Sequence, residues 1–234
     1  HTSARLIQPW HTITSVHAVE RNLTLARKLG WPVEPPLFPL GLRREELEAA
    51  ERKLAQAAGE PLAEFLAVLP GARWESKRWP TDRLAELIDQ LHADGLPRCV
   101  LLGAPDERVF SDQLRRATRA PVVDLVGRTS LRELTALLAR AALVVCHDSG
   151  PMHIAAALRT PLVAIFGSTS PARTGPYAAS ACVVALPLAC APCFRRTCPL
   201  GHHACMQQLA VDTVRQQVRE VWAARPSSAT CGVT

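Results

Sequence analysis

The sequence has few aromatic residues and no long apolar run. Only 5% of its 234 residues are Phe, Trp or Tyr, and one of these is tyrosine. Basic and aromatic residues do not interleave as they do in nucleic-acid-binding surfaces, so we expect no nucleic-acid partner. Although 48% of the residues are apolar, no apolar run approaches the roughly 18 residues that span a bilayer. These absences favour a soluble globular protein.

The first residues also lack the pattern of a secretory leader, a basic stretch followed by an apolar one. The chain begins with His1 rather than methionine, and we expect it to be the later part of a longer protein. Its 234 residues suffice for one large domain, or for one domain and part of another. The formal net charge of +6 suits an anionic ligand or surface, although such an excess is usually a solvated face.

From residue 61 to 225, short apolar runs alternate with amphipathic helices. The runs predict buried strands at 65–69, 99–102, 122–125, 143–146, 161–166 and 182–186. Continuous apolar strands separated by single helices are typical of a parallel sheet covered on both faces. The predicted fold class is therefore α/β, a doubly wound parallel sheet with right-handed crossovers. Residues 226–234, which are mostly small, are expected to form a flexible tail.

Residues 1–30 are not expected to form a complete folding unit by themselves. An apolar stripe from Val16 onward predicts a helix that ends at Gly30, and this helix needs a partner sheet that the rest of the sequence does not obviously supply. A cluster of prolines then predicts a stiff extended linker, and a second helix is predicted from Arg43 to Ala58. We therefore place a domain boundary within residues 31–60.

The turn between the fourth and fifth predicted strands has the residues of a phosphate-binding site. Ser149 can cap the following helix, Pro151 fits its first turn, and Gly150 leaves the backbone open to a ligand. The exposed N–H groups and the positive helix end favour a phosphate. Asp148 suits a sugar hydroxyl or a buttress to the turn, and His153 can donate to an anionic oxygen. The plainer alternative is a capped helix start with a core histidine.

Other polar loops meet this turn if the strands are parallel, because the carboxyl ends of parallel strands share one edge of the sheet. These loops bring Arg73, Lys77, Asp106 and Thr129 to that edge. Lys77 is a mobile point charge suited to a diphosphate, although a lone lysine in a loop is more often ordinary surface.

Three segments in this order resemble one known family. PGARWESKRWP, HDSGPMHIAAAL and FGSTSPARTGPY are similar to motifs of the bacterial ADP-heptose:lipopolysaccharide heptosyltransferases, above all those that add the second heptose. The resemblance extends from about residue 17 to 222. In that family two Rossmann-like domains face each other across a cleft, the GT-B arrangement. The resemblance implies that 1–30 are the incomplete tail of the acceptor-side domain, 31–60 an interdomain linker and helix, and 61–225 the donor-binding domain.

The family's donor contacts carry over onto the loops at the sheet edge. Lys77 resembles the lysine that contacts the diphosphate of the leaving ADP, and Asp148 resembles the acid that binds the heptose hydroxyls. The residues that resemble donor contacts are Arg73, Lys77, Thr129, Asp148, Ser149, Gly150, Pro151, Met152 and His153. The family's general base is an aspartate near the start of the N-terminal domain, and no residue of this chain matches it.

The function implied by the resemblance is inverting transfer of heptose from ADP-L-glycero-D-manno-heptose to the inner core of lipopolysaccharide. An acceptor hydroxyl attacks the anomeric carbon while ADP leaves, with no metal ion or other cofactor required. The donor-binding half alone is expected to bind the nucleotide sugar and to transfer little or none of it. The resemblance further implies a cytoplasmic protein, with peripheral contact at the inner membrane face left open.

Four cysteines near the C-terminus form a C-x2-C-x4-C-x6-C pattern: Cys190, Cys193, Cys198 and Cys205. Such thiols could hold tetrahedral zinc or an iron–sulfur cluster. The favoured alternative is that they remain reduced structural thiols or form opportunistic disulfides. The surrounding sequence resembles a cysteine-bearing insertion of some heptosyltransferases, which argues against a catalytic metal.

Two other functions remain as alternatives. Another GT-B nucleotide-sugar enzyme, such as a UDP-sugar 2-epimerase, would have the same fold, because one fold supports several chemistries. A noncatalytic metal-binding module would depend on the cysteine cluster alone.

Overall fold

Six short strands form one sheet in the computed structural model, which describes residues 17–33 and 36–225. The strands are β1 (Leu66–Val68), β2 (Cys99–Leu101), β3 (Val122–Asp124), β4 (Leu143–His147), β5 (Leu162–Phe166) and β6 (Ala181–Ala185). Every neighbouring pair is parallel, and the order is β3-β2-β1-β4-β5-β6. The predicted strands are confirmed, with each end within one residue of its expected place.

Helices cover both faces of this sheet. They are α1 (Ala18–Lys28), α2 (Arg44–Ala58), α3 (Thr81–Ala93), α4 (Arg108–Ala117), α5 (Leu131–Arg140), α6 (Gly150–Ala157), α7 (Pro171–Thr174), α8 (Ala204–Gln207) and α9 (Val211–Ala224). Helices α3 and α9 pack on one face, and α2, α5 and α6 pack on the other. Successive residues of one strand, such as Val144 and Val145, enter opposite cores, because strand side chains alternate between faces. This arrangement confirms the doubly wound fold.

Local signals set several helix ends. The Ser130 hydroxyl accepts the N–H of Glu133 at 3.2 Å, and the Glu133 carboxylate accepts the N–H of Ser130 at 2.7 Å, which completes a capping box. Gly59 follows α2 in the left-handed conformation with φ of 78°, which favours glycine.

The N-terminal helix α1 lies against the end of the sheet domain without burying any of its own residues. His17 Nε2 is 3.2 Å from the carbonyl oxygen of Gly175, and Tyr177 donates a hydrogen bond to Glu20. The apolar stripe leaves Leu25 exposed. Part of the N-terminal prediction, including Val16 and residues 34–35 of the linker, lies outside the described residues, as does the predicted tail at 226–234.

Candidate donor-binding site

An open cavity of about 930 Å³ lies at the carboxyl edge of the strands. It is bounded by the loops that follow β1, β2, β3, β4 and β5. The strand order reverses between β1 and β4, and ligands of open α/β sheets bind in the crevice at such a switch point. The cavity wall contains eight of the predicted donor contacts: Arg73, Lys77, Thr129, Asp148, Ser149, Gly150, Pro151 and His153. Asp106 also lines it.

Met152 does not join this group. Its side chain is fully buried and belongs to the core between α6 and the sheet. Each helical residue is rotated by about 100° from the one before, so Met152 points to the sheet while Pro151 and His153 face the cavity. The side chain of Met152 therefore does not reach the cavity, and its place in the phosphate-binding helix start stays a prediction for its backbone alone.

Lys77 and Asp148 form the central ion pair of the cavity. The Lys77 Nζ atom is 2.7 Å from Asp148 Oδ2, with the two side chains 17% and 6% exposed. The Thr169 hydroxyl donates to the same Oδ2 at 2.7 Å, and the Lys77 ammonium lies 4.5 Å from the centre of the Trp74 ring, within cation–π distance. Lys77 is thus a fixed, half-buried charge, and the alternative of an ordinary surface lysine does not describe it.

Ser149 occupies the N-cap position of α6, but its side chain makes no capping bond. The hydroxyl oxygen is buried and has no hydrogen-bond partner among the described residues. The predicted side-chain cap is therefore wrong. A buried polar atom without a partner is costly, and this one lies beside the free N–H groups of a helix start, where an anion binds best. A Cβ atom at Gly150 would meet nothing within 4 Å, so the backbone here is open to a ligand.

The two histidines of this region have different roles. His147 ends β4 and is buried; its Nε2 accepts the N–H of Trp79 at 3.0 Å. Burial lowers the pKa of His147 to about 4, so the ring is neutral and structural. His153 instead lines the cavity. Desolvation there lowers its pKa, although Asp148 acts in the opposite direction, and His153 can donate one N–H to a ligand.

The sequence did not single out several residues of the cavity wall. Trp74, Arg173 and Phe194 line it, with the Arg173 guanidinium 4.8 Å from the centre of the Phe194 ring. Thr169 was missed as well, although it lies in FGSTSPARTGPY, one of the three segments that carry the family resemblance. Its position two residues after Gly167, at the end of a buried strand, was the available signal.

Glu107 is another residue that the sequence did not single out, and its position explains why two nearby loop residues are glycines. Its carboxylate accepts the N–H of Ala104 at 2.9 Å, and burial raises its pKa. A Cβ atom at Gly71 would lie 2.2 Å from Glu107 Cδ, and one at Gly103 would lie 2.6 Å from Glu107 Oε2. Glycine at both positions therefore lets the Glu107 side chain fill the floor between the loops after β1 and β2.

The cysteine-bearing segment is attached to the loop that carries Lys77. The Ser76 hydroxyl lies 2.8 Å from the Ser168 hydroxyl and donates to the carbonyl oxygen of Arg195 at 2.5 Å. The N–H of Phe194 donates to the carbonyl oxygen of Ser168 at 2.7 Å. Ser76 and Ser168 are buried, so this contact joins three loops beneath the cavity wall.

The described cysteines are all free thiols. Burial raises the pKa of Cys205, and Cys193, Cys198 and Cys190 raise it further. Backbone hydrogen bonding, first from His203, lowers the pKa of Cys198. Within 17–33 and 36–225, no group of three or more His, Cys, Asp or Glu side chains is arranged to hold a metal ion.

Comparison with known proteins identifies the family. The model of glycosyltransferase family 9 (heptosyltransferase) matches residues 2–204. Lipopolysaccharide heptosyltransferase 1 of Pseudomonas aeruginosa is 33% identical over 183 residues, which cover 78% of this chain and 48% of that protein. Lipopolysaccharide heptosyltransferase 2 of Escherichia coli is 32% identical over 180 residues, which cover 72% and 51%.

Solved structures share the fold. The structure of E. coli ADP-heptose lps heptosyltransferase II superposes with a TM-score of 0.72 at 26% identity, covering 89% of this chain and 62% of that one. E. coli heptosyltransferase WaaC with ADP superposes with a TM-score of 0.59 at 26% identity, covering 88% and 57%. The chain spans about half the length of the curated relatives it matches. It belongs to glycosyltransferase family 9, the heptosyltransferases.

Proposed function

We propose that this chain is the donor-binding half of an inverting heptosyltransferase. The substrate would be ADP-L-glycero-D-manno-heptose, and the acceptor the inner core of lipopolysaccharide. The proposal rests on one observation: Lys77 and the start of α6 line the same cavity. The Ser149 hydroxyl at that helix start has no hydrogen-bond partner among the described residues. An ammonium group and a helix N-terminus together match a diphosphate in charge and hydrogen bonding.

Each group of cavity residues has its own role in this proposal. Lys77 and the N–H groups at the start of α6 stabilise the negative charge that grows on the diphosphate as ADP leaves. Asp148 holds Lys77 through Oδ2, which leaves Oδ1 to accept a heptose hydroxyl. Thr129 and Arg73 line the cavity; by the family resemblance, Thr129 would face the nucleoside and Arg73 would belong to the donor loop. No cofactor is required, because these groups supply the stabilising charge.

The acceptor side of the reaction is assigned to the rest of the proposed enzyme. Residues 1–30 would be the tail of the acceptor-side domain, 31–60 the interdomain linker and helix, and 61–225 the donor-binding domain. The general base that takes the proton of the acceptor hydroxyl would lie in the acceptor-side domain.

The proposed place of action is the cytoplasmic face of the inner membrane, where a lipid-borne acceptor would be met. No helix of the described ranges combines the length and apolar character needed to cross a membrane.

The test is nucleotide-dependent thermal stability of this chain. A ligand that binds only the folded state at 100 times its Kd stabilises it by about 2.7 kcal/mol, so saturating ADP should raise Tm by several degrees. UDP at the same concentration should raise it less. Protection by UDP alone would favour the epimerase alternative, and a Tm that responds to a chelator but to no nucleotide would favour the metal-binding module. ADP-heptose should bind to this chain with little or no transfer of heptose. Complete heptose transfer by this chain alone would contradict the assignment of the acceptor side to another domain.

A further inference from the structure

Lys77 belongs to a single turn of 3₁₀ helix, Glu75–Lys77, in the loop after β1. Within this turn the N–H of Lys77 donates to the carbonyl oxygen of Trp74 at 3.1 Å, and the N–H of Arg78 donates to that of Glu75 at 3.0 Å. One turn of this kind is weak by itself, because hydrogen-bond geometry is poorer in a 3₁₀ helix than in an α-helix. The direction in which Lys77 projects therefore depends on the contacts that hold the turn from outside.

Ser76, the residue before Lys77, is the point at which the turn is held. It is fully buried, and its N–H donates to the carbonyl oxygen of Arg196 at 3.1 Å. Its hydroxyl donates to the carbonyl oxygen of Arg195 at 2.5 Å, so the same oxygen is left to accept the Ser168 hydroxyl at 2.8 Å. Three hydrogen bonds thus fix a buried residue whose neighbour faces the cavity.

The two carbonyl acceptors belong to the irregular segment 186–203 between β6 and α8, which is called the support segment below. The support segment is itself anchored to the loop after β5, because the N–H of Phe194 donates to the carbonyl oxygen of Ser168 at 2.7 Å. Helix α8 follows it and packs tightly on the same loop, since a Cβ atom at Gly167 would lie 2.8 Å from Met206 Cε. These contacts use main-chain atoms and packing, and none of them requires thiol chemistry.

The 3₁₀ turn and the loop after β5 are joined at two successive positions. Ser76 meets Ser168 directly. Lys77 is linked to Thr169 through Asp148, whose Oδ2 lies 2.7 Å from the Lys77 ammonium and accepts the Thr169 hydroxyl at 2.7 Å. Ser76, Ser168 and Asp148 are all buried. A shift of the turn at Ser76 would therefore move Lys77 relative to Asp148 and to the start of α6.

We propose that Ser76 is a positioning residue for the contact between Lys77 and the donor diphosphate, with the support segment as its anchor. The inference rests on the proposed function, which assigns Lys77 to that diphosphate. A charge acts best on an anion when it is held in place beforehand, and functional side chains need to be held within about 0.5 Å of their working position. Ser76 does not line the cavity, so its effect on the ligand passes through Lys77.

The test is isothermal titration of the 234-residue chain with ADP and with adenosine, which carries no phosphate. Ser76→Ala should weaken ADP binding by about threefold to tenfold, within the range of coupling between residues of one hydrogen-bond network, and should leave adenosine binding unchanged. In the Lys77→Ala background the same substitution should not weaken ADP binding further, because the residue through which Ser76 acts has been removed.

The matched control is Ser111→Ala. Ser111 is also a buried serine whose hydroxyl donates to a main-chain carbonyl oxygen, that of Arg108 at 3.0 Å, but it lies in α4 and does not line the cavity. This control should keep the ADP affinity of the parent. The Tm of each variant without ligand shows whether it is folded. If Ser76→Ala does not fold, the decision falls to Ser168→Ala, which removes the hydroxyl that donates to Ser76 and should weaken ADP binding in the same direction.

Three results would overturn the inference. Equal losses of ADP and adenosine affinity, or a loss of ADP affinity that persists in the Lys77→Ala background, would mean that Ser76 supports the cavity as a whole. An unchanged ADP affinity in the folded serine variants would remove Ser76 from the contact and leave the proposed function standing. A parent chain that binds no ADP would refute the proposed function, and this inference with it.

Discussion

Lys77 and Asp148 are joined across the switch point of the sheet, with 2.7 Å between Nζ and Oδ2. Lys77 belongs to the loop after β1, and Asp148 lies between β4 and α6. Asp148 is nearly inaccessible and also accepts the Thr169 hydroxyl, so the pair ties the loops after three strands together. One carboxylate thereby fixes the cation that is proposed to face the diphosphate.

Replacing Lys77 by Ala should reduce turnover of the proposed complete enzyme at least tenfold. Loss of one preorganised charge that stabilises a transition state raises the barrier by about 2–4 kcal/mol. Steady-state heptose transfer measures the effect. Arg98→Ala is the control, since it also removes a paired cation, 2.8 Å from Glu60 at the opposite edge of the sheet. Turnover unchanged from the parent would remove Lys77 from the mechanism.

Replacing Thr169 by Val should weaken both the fold and ADP binding. The substitution removes a 2.7 Å hydrogen bond to the buried carboxylate of Asp148, and bonds to charged groups contribute about 1.5–3 kcal/mol. Urea denaturation should show a loss of that size, and calorimetry should show weaker ADP binding. Thr197→Val, at an exposed residue, should change neither the free energy of unfolding nor ADP binding. If Thr169→Val also changed neither quantity, Asp148 would not depend on this contact.

Replacing Ser76 by Ala should lower the free energy of unfolding by about 1–3 kcal/mol, because two partners, one of them buried, are left without its hydrogen bond. Those partners are the Ser168 hydroxyl and the carbonyl oxygen of Arg195. In a double-mutant cycle with Ser168→Ala, a coupling of about 0.5–3 kcal/mol is expected for residues in contact. Strictly additive losses in urea denaturation would mean that the two hydroxyls do not act together.

Stability should fall between pH 7 and pH 5 because of His147. Burial lowers the pKa of His147 from its ordinary value of 6.5 to about 4. As the pH drops through 6.5, His147 becomes protonated in the unfolded chain, whereas in the folded protein it stays neutral until about pH 4. The stabilisation is therefore complete above pH 6.5 and is lost progressively as the pH falls from 6.5 to about 4. The expected loss from pH 7 to pH 5 is about 2 kcal/mol.

The comparison that isolates this effect uses His147→Gln and His92→Gln in urea denaturation at both pH values. The first variant should be less stable but should show a smaller difference between pH 7 and pH 5 than the parent. The second changes an exposed histidine of α3 and should keep the full difference. Equal differences in the parent and in His147→Gln would contradict the assignment.

The success of the strand predictions has a simple physical cause. Buried strands such as β4 and β5 are apolar on both faces, and such runs between helices are readable without tertiary information. The capping box at Ser130 was equally readable, because its partners are three residues apart. Ser149 also occupies an N-cap position but has Met152 three residues later instead of Glu or Gln, and its side chain makes no capping bond.

By itself, the sequence determined the α/β class, the set of loops that meet at the carboxyl edge and the family to which the chain belongs. Only the tertiary structure decided which side chains meet there: that Asp148 holds Lys77, that Thr169 supports Asp148, and that the Met152 side chain is buried in the core. The reason is the range of the forces. Periodicity along the chain fixes which faces are buried, whereas partners on different strands are chosen by the strand order and register, which no local pattern encodes.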